Sequence, residues 1–233
     1  LEDTNVLTVT GKVDSVELSH FFTNPHSQER IEFYKVVVAV ARLSENYDYV
    51  PVIVPGKLMF HNQIKIGDYI TINGDVRTRN YTDADKGISH LSVYGFATDF
   101  KIVSEEEYEA ATEKNSVRLE GFICKKPTLR NTTSGRIISD LSIAHNRKSY
   151  DGIHCKSDYI PCVTWGVSAK AASRLCVGEK ILVEGRFQSR KYSRKNSNDL
   201  TDHMAYEVSV TNFSVVKDES VMVKHEDEQA DIA

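Results

Sequence analysis

Little in this chain suits covalent chemistry or passage through a membrane. No stretch approaches the roughly 18–20 apolar residues of a spanning helix, and the opening residues show no signal-peptide pattern. The expectation is a protein without membrane contact. A Gly-rich phosphate loop, a nucleophile elbow and a C-x-x-C pair are all missing. Cysteine is absent from the first half; the four thiols stand at 124, 155, 162 and 176. Free cysteines favour interiors, so these read as buried thiols in a reducing compartment. The alternative is a zinc site from His145, His154, Cys155 and Cys162, whose spacing matches no finger or ribbon. No catalytic role, cofactor or metal is expected.

Against these absences stands a repeat. VGEKILVEGRFQSRKY at 177–192 echoes IGDYITINGDVRTRNY at 66–81, a displacement of 111 residues shared by two glycines and the closing Tyr. As a strand, 177–192 puts Ile181, Val183 and Phe187 on one face and Arg186, Gln188, Arg190 and Tyr192 on the other. One face suits a core. The other combines cations, which suit phosphates, with a flat ring on which an unstacked base can lie.

The repeat extends through the chain. NVLTVTGKV at 5–13 answers to NSVRLEGFI at 115–123, Pro51 to Pro161 and Gly56 to Gly166. In each half a first strand is followed by a polar stretch (Glu17–Arg30 in the first, a loop or hairpin tip), two β-branched strands, a short helix and two more strands. That order predicts an all-β protein of two tandem five-stranded OB-fold barrels, each with a short helix between strands 3 and 4. The divisions are a first barrel over 1–103, a Glu-rich helical linker over 104–114, a second barrel over 115–217 and an acidic disordered tail over 218–233. Charge is distributed unevenly among them. Lys and Arg number 11 against 18 Asp and Glu over 1–114, 17 against 9 over 115–217, and 1 against 6 beyond. The second half alone is basic, which points to a polyanion there.

Four blocks of the second half, NSVRLEGFICKKPTLRNTTSG, LSIAHNR, SDYIPCVTWGVSAKAASRL and VGEKILVEGRFQSRKY, lie in one order and spacing. In these the chain resembles the bacterial single-stranded DNA-binding protein family; the first half resembles it more weakly. The resemblance implies a cytoplasmic, nucleoid-associated protein that coats single-stranded DNA without base specificity in replication, recombination or repair. It implies stacking on Tyr150, Tyr159, Trp165 and Tyr192, beside which Arg130, Arg147, Lys148, Arg186, Arg190 and Lys191 are the cations placed along the strand. It also implies four barrels per assembly, hence a homodimer, and replication or repair proteins as possible partners.

The first half departs from the pattern. Tyr49 and Tyr81 stand where Tyr159 and Tyr192 do, and Arg77 and Arg79 keep basic positions, but Pro55 replaces Trp165. It reads as a barrel with a partial binding face or as one serving mainly in assembly. The tail is acidic but lacks the family's terminal Pro-Phe. The competing function is an interaction module that docks replication or mobile-element proteins with residual nucleic-acid affinity.

Overall fold

β-branched runs with two-residue alternation leave strands as the main element. A computed structural model describes residues 4–24, 27–42, 44, 46–82, 87, 89–148, 155–192 and 203–216. The first half forms β1 (Asn5–Thr23), β2 (Arg30–Ala41), β3 (Tyr47–Pro55), a 3-10 turn (Gly56–Met59), β4 (Tyr69–Thr82) and β5 (Ser89–Val103). A six-residue helix, α1 (Glu105–Ala110), follows, begun by a reciprocal capping box between Ser104 and Glu107. The second half forms β6 (Asn115–Ile123), β7 (Thr128–Asn131), β8 (Ile137–Lys148), β9 (Cys155–Trp165), α2 (Gly166–Ala172), β10 (Lys180–Tyr192) and β11 (His203–Val215).

Each half closes on itself. β1 pairs β2 and β4, β2 pairs β3, β4 pairs β5, and a short parallel contact of β3 with β5 completes the ring. In the second half β6, β8, β9, β11 and β10 close in the same order. These are two OB-fold barrels in tandem, each with one helical turn or more after its third strand. Inward side chains are small and branched, among them Val36, Val52, Ile70 and Ile72 in the first barrel and Leu119, Ile143, Ile160 and Val183 in the second, all fully buried. Each contributes about 1.5–3 kcal/mol of burial. The repeat is geometric as well as textual: Gly67 and Gly178 both take φ +92, where L side chains are strained, and β4 and β10 both break register at Asn73/Gly74 and Glu184/Gly185.

The barrels join by two devices. β1 pairs β6 antiparallel from Asn5↔Leu119 to Val9↔Asn115, so one sheet runs through both halves. Around the resulting quasi-two-fold, two carboxylates only 1% exposed reach across. Asp48 of β3 accepts the Ser189 N–H of β10 at 2.8 Å, while Asp158 of β9 accepts the Thr78 N–H of β4 at 2.7 Å. Each also pairs with an arginine of its own barrel, Arg42 and Arg147 respectively. The adjacent amides match as well: Tyr49 N–H donates to Ser189 Oγ and Tyr159 N–H to Thr78 Oγ1.

Three expectations need correction. The polar stretch Glu17–Arg30, read as a loop or hairpin tip, is largely the arm of a hairpin; β1 continues to Thr23 and pairs β2 as far as Arg30, because a hairpin exposed on both faces needs no apolar alternation. The loop after β6 contains a four-residue strand, β7, on the edge of β8. Of the cysteines only Cys162 is buried; Cys124 is half-buried, and Cys155 and Cys176 are exposed. Cys162 faces the core and His145 Nδ1 meets the Glu120 carbonyl at 2.9 Å, so these two do not share a site with Cys155. His154 and the tail 218–233 lie outside the described residues.

Candidate nucleic-acid interface

Trp165 ends β9, immediately before Gly166, whose φ of +58 turns the chain into α2. Its indole N–H donates to Ser209 Oγ of β11 at 3.1 Å, which fixes the half-buried ring. In front of it lies a groove of about 930 Å³ whose lining includes Arg136, Arg186, Gln188 and Arg190 of the second barrel and Arg42 of the first. A flat ring beside several guanidinium groups can hold a stacked base and its phosphates together. The first barrel's hairpin thus contributes to the second barrel's face.

The other basic residues are less free than their strand parity suggests. Arg186 donates to Asp48 and, at 2.8 Å, to Gln188 Oε1. Burial, with Arg42 nearby, holds its pKa below the usual guanidinium range against the pull of Asp48; it stays charged. Gln188 and Ser189 are 6% and 4% exposed, so the middle of β10 is covered on both faces, by its own core and by the first barrel. Of the outward residues read from 177–192, Gln188 is buried, Arg186 half-buried and Arg190 exposed. Arg190 bonds Glu207 at 3.1 Å. Exposed Lys191 lines a cleft of about 430 Å³ with Tyr49 and Met204.

Arg147 is held by buried Asp158. Arg130 on β7 forms a bidentate pair with Asp140, which raises its pKa further. Lys148 is exposed at the end of β8, opposite Cys155. Tyr159 is 49% exposed but stands against β4 of the first barrel, apart from the Trp165 groove. Tyr192 pairs His203 at the outer end of the β10–β11 ladder. Tyr150 lies outside the described residues.

In the first barrel Arg77 is doubly bonded to Asp75 and lies 3.5 Å from the Phe96 ring centroid. Tyr81 is 51% exposed and stacks on His90, and Arg79 is exposed. Arg77, Arg79, Tyr81 and Phe96 line a second groove of about 770 Å³, to which the second barrel sends Arg147 and Lys156. Sequence reasoning did not single out Arg42, Asp48 or Asp158. Their signal was the repeated Tyr-Asp-Tyr and Ser-Asp-Tyr at the start of the third strands.

Comparison with known proteins adds four findings. Residues 114–216 match the model of the Single-strand binding protein family. The chain is 33% identical over 84 residues to Single-stranded DNA-binding protein B of Bacillus subtilis, covering 35% of this chain and 74% of that protein. To Single-stranded DNA-binding protein A of the same organism it is 35% identical over 83 residues, which spans about half of that relative, 48%. The crystal structure of the wild-type single-stranded DNA binding protein from Thermus aquaticus superposes with a TM-score of 0.67 at 18% identity, over 92% of this chain and 93% of that one. That likeness is one of fold.

Proposed function

The chain belongs to the Single-strand binding protein family, and on that basis we propose that it binds single-stranded DNA without base specificity and protects it during replication, recombination or repair. The observation that carries this reading is Trp165, locked by Ser209 beside a groove lined by Arg136 and Arg190. Stacking supplies about 1–3 kcal/mol per base whatever the base, and the cations supply a salt-sensitive phosphate term. The chemistry asked of the protein is adhesion, with no bond made or broken. We assign the main face to the second barrel, 115–217, and treat 104–114 as a linker. Two copies would bring four barrels together; light scattering of the full chain at micromolar concentration tests this, with a mass of one chain counting against it.

Trp165 is the chain's only tryptophan, so its fluorescence reports this groove alone. Oligo-dT should quench it, added salt should reverse the quench, and duplex should have little effect. Unchanged emission with no gel shift at low salt would overturn the proposal. The engagement of Arg130, Arg147 and Arg186 by carboxylates favours, as a second reading, a module that docks proteins. Quenching that persists with every base composition separates the two in favour of DNA.

A further inference from the structure

The loss of a Trp165 counterpart suggests a first barrel without a stacking surface, yet the structure shows where the aromatic character went. In the second barrel the β8–β9 ladder sets Ile138 opposite Trp165, and Trp165 touches Ser209 of β11. In the first barrel the equivalent register sets Phe33 opposite Pro55, and Phe33 meets Phe96 of β5 at 6.2 Å. The ring has moved to the neighbouring strand. Around it His20 stacks on Phe33 at 4.8 Å and 8°, and Phe22 at 6.0 Å. Phe33 is 4% exposed and forms the floor; Phe22 and Tyr81 remain 41% and 51% exposed.

The charges around this groove are sorted. The first half carries net negative charge, yet none of the groove's described lining residues is acidic, while Lys35, Arg77, Arg79, Arg147 and Lys156 all line it. Arg79 and Lys156 form no ion pair among the described residues. Arg147 and Lys156 stand directly opposite each other on β8 and β9. Arg147 is already paired with buried Asp158, so of these two Lys156 is the charge left to meet a phosphate. Burial, and secondarily Arg79, holds the His20 pKa below its usual value, so near neutral pH the ring is an uncharged platform.

We infer that this groove is a second site for a segment of single-stranded polynucleotide, with bases on Phe22, His20 and Tyr81 and phosphates on Arg79 of the first barrel and Lys156 of the second. The inference rests on the reading of the second barrel as a single-strand binder. It makes the two sites quasi-equivalent in place and different in residues.

The test uses the full chain and oligo-dT of about eight nucleotides, near the site of one OB-fold. Stoichiometry is measured by calorimetry alongside Trp165 fluorescence. Two oligonucleotides per chain are expected. The double variant Phe22→Ala/Tyr81→Ala, altering only exposed rings, should weaken one of the two sites about tenfold or more and leave the Trp165 quench intact. Lys156→Glu should do the same by a charge change on the other barrel, with unaltered melting as the control for folding. Two unchanged sites in both variants would overturn the inference while the second-barrel reading stands. One oligonucleotide per native chain by calorimetry, lost in Trp165→Ala and kept in the double variant, would overturn it as well. Conversely, a site lost in the double variant without any Trp165 quench in the native chain would uphold it and sink the second-barrel reading.

Discussion

Replacing Asp158 by Ala should loosen the junction between the barrels. The carboxylate is 1% exposed and accepts the Thr78 N–H at 2.7 Å and the Thr78 hydroxyl at 3.3 Å while holding Arg147. Truncation leaves a backbone donor and a guanidinium without acceptors. Removing one member of a buried pair costs about 3–5 kcal/mol, most of it the penalty for the groups left behind. With a urea slope of about 2–3 kcal/mol per M, the midpoint should fall by about 1–2.5 M. Asp158→Asn, which keeps an acceptor but removes the charge, should fall by less. Because the bond crosses the junction, the damage should spread to the interface: hydrogen exchange at Thr78 and along β4 should accelerate. Asp48→Ala should do the same to Ser189 and β10, leaving both Arg42 and Arg186 without their carboxylate. A midpoint shift below about 0.3 M in both variants, with Thr78 and Ser189 amides as protected as in the native chain, would refute the reasoning.

Three further outcomes are expected. A bulky thiol reagent followed by mass spectrometry should modify Cys155 and Cys176 first and spare Cys162, whose thiol burial pushes far above its usual pKa; early labelling of Cys162 would contradict its place in the core. Gly67→Ala and Gly178→Ala should each cost about 1–2 kcal/mol in denaturant melts, because both residues sit at φ +92 with open space where a Cβ would go, so backbone strain alone acts. Arg190→Ala should lower the logarithmic salt slope of oligo-dT binding by about 0.7; an unchanged slope would remove Arg190 from the phosphate path.

The barrels were legible because their signals are local. Alternation, the glycines of the turns and strands, and the displacement between the halves need only neighbouring residues. The junction was not legible in the same way. Nothing near Arg186 in sequence reveals that its partner is Asp48, 138 residues earlier, so parity alone placed it on an open face. The hairpin failed for the opposite reason. Glu17–Thr23 carries polar residues on both faces because both are exposed, and without alternation it read as a loop or hairpin tip and not as a continuing strand; His20 and Phe22 were thereby hidden as same-face neighbours along one strand.

The same junction explains how two copies of one unit could diverge without losing their common geometry. Asp48 and Asp158 answer to each other, as do Ser189 and Thr78, and these pairs hold the barrels in register. Positions at that register are constrained from both sides. Positions one strand away are not: Trp165 opposite Ile138 can become Pro55 opposite Phe33 provided the pair still fills the space before β11 or β5. Charge behaves likewise. Asp75, paired with Arg77 in the first barrel, stands where the second has Arg186 reaching across to Asp48, so the guanidinium beside each groove is anchored by a different carboxylate. Asp75→Ala should therefore alter only the first groove, freeing Arg77, which already lies over the Phe96 ring, from its bidentate pair. Trp165 quenching by oligo-dT is the readout: a change of more than about twofold in its affinity, roughly 0.4 kcal/mol, would mean that the grooves are not independently anchored.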